Sequence, residues 1–412
     1  MSSATSDLPI DEANPAAGSN RLRWLIIGAI AVTGLTMRVA VSSVGAVLDD
    51  LEAGLHTSSG VAGIITSLPV IAFAGIGILG PRLAHRFGEH RMLTIALLAT
   101  TIGLALRAIT GNIWLFAVLS MLALSGGAIA NVLMPALVRR HFPDRIGAMT
   151  AIYTTSLAIG LTAAAGLTVP ISNLGGHNWR FGIGSWAALT AAAILPWLPT
   201  LAGDRPSRDD QPPRVPISWM AHSKLAWALA LLFGTQSFQA YVAFGWFTNF
   251  FRHNQVDATE AGLLVAFFSG LSIPMSMVIP ALAVRRQRSM IVVLTSASGL
   301  SYLGMFLAPV GGAWLWMLLG GIGSGMFPLT LTMIGLHSRE IASTATLSAF
   351  VQGIGYLIAG SGPLLVGWLL GINDSWTWPL IILLVVLALS AIAGWYAGRP
   401  SFVEDEFPAM AQ

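Results

Sequence analysis

Long apolar blocks separated by short polar stretches set the pattern of this chain. The blocks are about 19–28 residues long and carry few charges. A helix of about 20 apolar residues, rising ~1.5 Å per residue, crosses the ~30 Å hydrocarbon core of a bilayer. The pattern therefore predicts twelve transmembrane helices over residues 24–47, 59–79, 92–110, 113–138, 146–170, 180–201, 224–250, 258–284, 290–309, 313–336, 343–370 and 376–397.

Composition supports the same class. Hydrophobic residues make up 55% of the 412 positions, charged residues only 9%, and the mean hydropathy is +0.74. Soluble domains carry about 25% charged residues, so the chain is predicted to be an all-α polytopic protein in a lipid bilayer. It has no cysteine, which excludes disulfides, thiolate chemistry and cysteine-ligated metals.

The positive charges predict the orientation. Counted with the N-terminus inside, 17 of the 21 basic residues flank the spans on the cytoplasmic side, and only Arg180 and Arg252 lie outside. Cytoplasmic segments of membrane proteins are enriched in Lys and Arg, so both termini are predicted to be cytoplasmic, in the cell membrane. Because the basic residues serve as topology signals, the sequence pI of about 9.7 does not indicate a nucleic-acid partner.

One internal stretch divides the spans equally. Residues 202–223 are rich in Pro and charge, and this linker separates a six-helix bundle over 24–201 from a second one over 224–397. Residues 1–23 are predicted to be a disordered cytoplasmic tail, and 398–412 a second cytoplasmic tail.

The two halves also share short sequence echoes. Pro, Leu, Ala and Arg recur at the same spacing in 81–86 and 280–285, which end the second and eighth spans. Segments 150–160 and 348–360 are similar in the fifth and eleventh spans. These placements predict a duplicated six-helix unit and two pseudo-symmetric bundles, an arrangement found in transporters.

Arg38 is the principal candidate for function. It lies 14 residues after Trp24 and 11 before Asp49, or about 21 Å and 16 Å along a helix, and so near the bilayer centre. A guanidinium there costs at least ~2.5–3.5 kcal/mol. All Asp, Glu and His residues lie in tails, loops or span edges, so none is placed deep in a span to pair with it. Arg38 is therefore expected either to contact a polar or anionic substrate, which we favour, or to bond helix carbonyls.

Arg107 has a different position. It is three residues before Thr110, close to the outer surface, and can reach out to water, so we favour a structural role. Without a titrating group in the spans, no protein proton carrier is expected, which favours uniport, exchange or proton entry on the substrate. The spans also lack the residue pairs of catalytic or metal sites, so no enzyme, cofactor or metal is predicted.

Uncharged polar and aromatic side chains form a second set of candidates. Gln236 and Gln239 share a helix face, as do Gln352 and Tyr356, at matching places in the second half. Such amides act as interhelical glue or hydrogen-bond a small planar solute, with aromatic rings stacking on it. The predicted substrate-binding set is Arg38, Asn131, Tyr153, Gln236, Gln239, Tyr241, Trp246, Gln352 and Tyr356.

The segment after the second span contains Gly80, His85, Arg86, Gly88 and Arg91. This spacing resembles the signature loop of the major facilitator superfamily, except that His85 stands where Asp is usual. The resemblance implies twelve helices in two bundles, with this loop as a gating latch against the other half. The histidine leaves its charge pairing open.

Six further segments are informative: LTMRVAVSSVG (35–45), GLALRAI (103–109), MPALVRRHFP (134–143), FGTQSFQAYVAFGWF (233–247), GLSIPMSMVIPALAVR (270–285) and QGIGYLIAGSGPLLVG (352–367). In these segments the chain resembles the cyanate permease and 2-nitroimidazole transporter group of that superfamily. The resemblance implies alternating-access transport of a small anionic or polar solute through a central cavity lined by Arg38, Gln236 and Gln352. An efflux carrier for neutral or weakly acidic aromatic compounds is the alternative, and a non-transporting sensor a third. Substrate and direction stay open, and a monomer is expected.

Overall fold

The computed structural model describes residues 15–203 and 216–406, with side chains except at 15–22, 76–85, 202–203 and some positions within 136–147 and 341–345. The first half contains α1 (Pro15–Thr36), α2 (Val39–Ala46), α3 (Leu48–Gly54), α4 (Ser59–Phe87), α5 (Glu89–Ile109), α6 (Ile113–His141), α7 (Ile146–Leu174) and α8 (Trp179–Ile194). The second contains α9 (Ile217–Met220), α10 (Lys224–His253), α11 (Ala258–Gly270), α12 (Ser272–Leu307), α13 (Ala313–Gly323), α14 (Met326–Leu336), α15 (Ile341–Asn373) and α16 (Thr377–Ala397). Short 3₁₀ helices cover Pro143–Arg145, Leu195–Gly203 and Val403–Glu406.

The all-α prediction is confirmed, since the described residues form helices and no strand. Among them, 9 helical segments are long and apolar enough to cross a membrane. One, Ala258–Leu307, has 50 residues, or about 75 Å of helix, and its backbone leaves helical geometry at Arg286. That length fits two passes, as in the predicted eighth and ninth spans. The number of twelve spans stays a prediction.

The predicted disordered tail at the start of the chain differs from expectation where it is described. Helix α1 begins at Pro15, inside the predicted disordered tail, and a proline suits the first helical turn because its missing N–H would lack a partner there. At the other end, the Val403 N–H donates to the His337 carbonyl, and Arg339 pairs with Asp405. The segment after α16 therefore packs onto the turn between α14 and α15.

The predicted gating loop is helical. Helix α4 continues through residues 80–87 and α5 begins at Glu89, so Gly88 alone makes the turn. Its φ of 91° and ψ of 148° lie in a region that only glycine adopts readily. This glycine reverses the chain in one residue, and the gating role of the segment stays a prediction.

The two halves meet mainly through α4 against α15, α2 against α10 and α7 against α11. Glycines allow the backbones to approach closely. A Cβ on Gly63 of α4 would lie 2.9 Å from the Pro363 carbonyl oxygen of α15, and one on Gly367 would lie 2.5 Å from the Ser59 carbonyl oxygen. Such small-residue contacts are typical of tightly packed membrane helices.

One end of this interface is tied by polar contacts. We call it the acidic end, defined by Asp49 and Asp50, and we call the end bearing Arg86, Arg140 and Arg288 the basic end. The Arg252 guanidinium of α10 lies 3.0 Å from Asp49 and 3.2 Å from Asp50. Where both partners are described, hydrogen bonds between the halves lie at the level of Arg38 or nearer the acidic end.

Candidate functional site

A break in the first span positions Arg38. Helix α1 ends at Thr36, and Arg38 has φ −124° and ψ 0°, outside helical geometry, before α2 begins. The Thr36 hydroxyl donates to the Thr33 carbonyl at 2.8 Å, while the Met37 N–H bonds Gly34 instead. A threonine hydroxyl that occupies a backbone acceptor in this way competes with the helix. The break puts the arginine at the interface between the two halves.

The Arg38 guanidinium meets the second half of the chain. Its Nη1 donates to the Tyr241 hydroxyl at 3.4 Å, and the Tyr356 hydroxyl interacts with the same group. Its Cζ lies 4.9 Å from the centre of the Phe73 ring, which is a cation–π contact. Arg38 remains partly accessible, and its Nε has no partner among the described residues. All these partners are uncharged, so the positive charge is not balanced.

Arg107 does not reach out to water as expected. It is 0% exposed, because its helix face turns toward α2. Its Nη2 donates to the Ser43 hydroxyl at 3.0 Å and its Nη1 to the Ala40 carbonyl at 3.3 Å. The Phe116 ring lies 5.8 Å from its Cζ. Hydrogen bonds to α2 hold the guanidinium inside, so the snorkelling interpretation was wrong.

A small cavity lies beside Arg107 at the interface of the two halves. It is lined by both polar and apolar side chains, with room for about one water molecule. Thr66 and Tyr241 line it from opposite halves, and Ser120 lines it next to Arg107. Tyr241 thus faces this cavity and also accepts the hydrogen bond from Arg38.

Several predicted site residues are instead occupied by packing. The Gln239 amide donates to the Thr235 carbonyl at 3.1 Å and accepts from the Tyr302 hydroxyl at 3.0 Å. Trp246 is 0% exposed and donates from Nε1 to the Thr66 hydroxyl at 3.1 Å, which joins the two halves. Both side chains hold helices together in this conformation.

The remaining polar candidates make no hydrogen bond to Arg38 among the described residues. Gln236 is buried and bonds the adjacent Ser237, whereas Gln352 is partly accessible and bonds Ser348 one turn away. Asn131 and Tyr153 are partly accessible on α6 and α7. Of the predicted set, Tyr241 and Tyr356 are the members that contact Arg38.

Two aromatic residues at the site were missed from the sequence. Phe73 lies under the Arg38 guanidinium and 6.4 Å from the Tyr356 ring. Phe233 packs edge-on against Tyr356 at 5.2 Å. Both sit in apolar spans whose sequence does not distinguish a ring in the core from one in a cavity wall. Only the contacts between helices show which of these two places a ring occupies.

The predicted gating residues are only partly described. Gly80 lies on α4, and the side chain of His85 falls outside the part of the chain whose side chains the structure describes. Arg86 is exposed, and its Cζ lies 5.6 Å from the Phe87 ring. Arg91 is exposed at the start of α5.

Known proteins match this chain in both sequence and fold. The sequence profile of the Major Facilitator Superfamily matches residues 26–360. The chain belongs to the major facilitator superfamily. It has the fold of a solved bacterial homolog of the human lysosomal transporter Spinster, in its inward-facing occupied conformation, with a TM-score of 0.78, 13% identity and coverage of 93% of this chain and 98% of that one. The protein is therefore a multi-pass membrane transporter rather than an enzyme.

Curated relatives place it more narrowly. It is 34% identical to an uncharacterized transporter of Bacillus subtilis (strain 168), covering 92% of this chain and 94% of the relative. It is 30% identical to the 2-nitroimidazole transporter of Escherichia coli (strain K12), covering 93% and 97%. It is 27% identical to the cyanate transport protein of the same strain, covering 84% and 90%. The resemblance to this group, read from the motifs, is confirmed.

Proposed function

We propose that this transporter carries a small monovalent anion across the cell membrane by alternating access, with Arg38 as the anchor of its binding site. The observation that carries the proposal is the unbalanced charge of Arg38 at the interface of the halves. Its described partners are two tyrosine hydroxyls and one aromatic ring.

The energetics favour an anion as the missing partner. A buried charge without a counter-charge costs several kcal/mol, and neutral acceptors recover only part of that. An anion bound at Arg38 would supply the counter-charge for as long as it stays bound. Because Arg38 belongs to the first half and its tyrosine partners to the second, such a ligand would contact both halves. A ligand shared in this way changes the relative stability of their two arrangements.

The charge distribution supports an orientation. With the basic end in the cytoplasm and both termini there, the acidic end faces outside. The contacts between Arg252 and the two aspartates would then close the outer side, and the described conformation would be inward-facing. The 2-nitroimidazole and cyanate carriers among the relatives support a small planar or linear solute. We expect a monomer that works by uniport, exchange or proton entry on the substrate.

Reconstituted protein tests the role of Arg38. Cyanate uptake into liposomes should fall at least tenfold in Arg38→Ala, because a hydrogen bond to a charged group contributes about 1.5–3 kcal/mol. Arg38→Lys should also be impaired if two-point contact matters, since Lys is a point charge. Arg23→Ala, at an exposed position of α1, is the matched control. Wild-type uptake by Arg38→Ala would refute the anchor role.

The ring cluster around Arg38 supports a second candidate function. Phe73, Phe233 and Tyr356 form an aromatic wall that suits efflux of a neutral or weakly acidic aromatic compound. In that case Phe73→Leu should reduce transport of 2-nitroimidazole more than Arg38→Ala does. Cells lacking the protein should also become more sensitive to nitroaromatic compounds. The anion proposal expects the reverse order of the two variants for cyanate.

A further inference from the structure

Arg107 is a second cation without a counter-charge among the described residues, and unlike Arg38 it is fully buried. Its described hydrogen-bond partners are neutral: the Ala40 carbonyl, the Ser43 hydroxyl and, at 3.5 Å, the Ser120 hydroxyl. The Ser43 hydroxyl donates its own hydrogen to the Val39 carbonyl at 2.6 Å, so it is free to accept from the arginine. The Nε–H of Arg107 is buried and has no acceptor among the described residues.

A structural role alone explains this arrangement poorly. Hydrogen-bond donors alone would be enough to attach α2 to α5 and α6, and a neutral amide would provide them without a buried charge. The carboxylates at the acidic end are engaged elsewhere: Asp49 and Asp50 pair with Arg252. Glu52 accepts from Ser59 at 3.1 Å. No ion pair to Arg107 forms among the described residues.

The small cavity gives Arg107 a place for a ligand. It lies between the halves, and the guanidinium is part of its wall. Tyr241 forms the wall shared with the Arg38 site, because its hydroxyl accepts from Arg38 while its side chain lines the cavity. Thr66 lines the far side, where its hydroxyl accepts from Trp246 in the contact that closes the interface.

We infer that Arg107 forms a second anion site, in series with Arg38 and separated from it by Tyr241. This inference rests on the proposed function and deepens it. In the described conformation the cavity holds one water-sized group, so an anion of a few atoms, smaller than a heterocycle, enters it only when the halves move apart. The anion moves from Arg38 past Tyr241 to Arg107 when the halves separate at the acidic end. Two cations in series select for charge, whereas the ring cluster near Arg38 selects for shape.

Ser120→Asp tests the site by placing a carboxylate beside Arg107. The Ser120 hydroxyl is 3.5 Å from Nη1, so an aspartate there supplies a permanent internal counter-charge that competes with the ligand. Ser120→Asn is the matched control, with nearly the same shape and no charge. Binding of sodium cyanate to the full-length purified protein is measured by calorimetry, with sodium gluconate holding the ionic strength constant.

The expected result is an affinity at least tenfold weaker in Ser120→Asp than in Ser120→Asn, because only the aspartate carries a charge. Equal affinities in the two variants, or equal losses, would overturn the second site. If Ser120→Asp does not yield folded protein, Arg107→Gln is compared with Arg107→Lys. The lysine should then bind cyanate at least tenfold more tightly than the glutamine, and equal binding would overturn the inference.

The same binding measurements distinguish the second site at Arg107 from the proposed anchor role of Arg38. If wild-type protein binds no cyanate, both are wrong. If Arg38→Ala loses binding while Ser120→Asp binds as Ser120→Asn does, the anchor stands and the second site is wrong.

Discussion

The close packing of α4 on α15 leads to a quantitative prediction about the conformational equilibrium. The change is Gly63→Ala. Its new Cβ would lie 2.9 Å from the Pro363 carbonyl oxygen and 3.2 Å from the Gly367 Cα, where ordinary contacts begin at about 3.4 Å. Backbone atoms cannot rotate away as a side chain can. The two halves must therefore separate locally by about 0.5 Å.

The shift in the conformational equilibrium depends on which conformation contains the steric clash. Overpacking costs about 1–3 kcal/mol, and here only the conformation closed at the acidic end contains the contact. The helix-propensity gain of alanine over glycine, about 1 kcal/mol, applies to every state and cancels. The population open at the acidic end should therefore rise about 5- to 150-fold relative to the closed one.

Cysteine labelling measures this shift without background, because the chain has no native cysteine. An Ile65→Cys reporter lies in the wall of the small cavity, where Ile65 is 3% exposed. Its rate of modification by a membrane-impermeant thiol reagent from the acidic-end side should rise by the same factor in Gly63→Ala. Gly75→Ala is the control on the same helix, since a Cβ there meets nothing within 4 Å. Equal labelling rates in the two alanine variants would refute the packing argument.

Three further predictions concern the acidic end and the core. Burial and, to a smaller extent, the nearby Asp49 raise the pKa of Glu52 from 4.5 to about 7, against the hydrogen bond from Ser59. A raised carboxyl pKa makes the folded state bind more protons, so stability should fall as pH rises from about 4.5 to 7. Thermal unfolding of Glu52→Gln should show a smaller fall over that window. Tyr302→Phe should lower stability by about 1–3 kcal/mol, since Gln239 loses its donor, without changing the substrate KM. Arg252→Ala should speed labelling of the cysteine reporter, and an unchanged rate would show that its ion pairs do not hold the acidic end closed.

The fold was largely readable from the sequence because membrane spans are a local property. Apolar length alone set α5, α6 and α16 close to their predicted ranges, since lipid forces each span to satisfy its own backbone. The turn at Gly88 and the start of α1 at Pro15 were not predicted. Both depend on the conformation of a single residue, which hydropathy does not record.

The candidate site was less readable because it depends on contacts between distant segments. Arg38 was identifiable, since a deep charge in an apolar span is costly wherever the helices pack. Gln239 could not be assigned, because its partner Tyr302 lies 63 positions away and turns a candidate ligand contact into a core hydrogen bond. Arg107 was misplaced for the same reason. It lies two residues before the end of α5 at Ile109, but the hydroxyl of Ser43 fixes its side chain inside.

The backbone break at Arg38 makes α2 a separate short element that can move as one unit. Helix α2 is only eight residues long and wholly buried, and backbone breaks at Arg38 and Val47 separate it from its neighbours. Arg107 holds it from the first half, while a Cβ on its Gly45 would overlap the Phe244 carbonyl of α10 in the second. A short rigid element with breaks at both ends can tilt as a unit, because the breaks absorb the change in backbone angles. Such a tilt moves Arg38 and the wall of the Arg107 cavity together. Separation of the halves at the acidic end would thus change both cation sites at once.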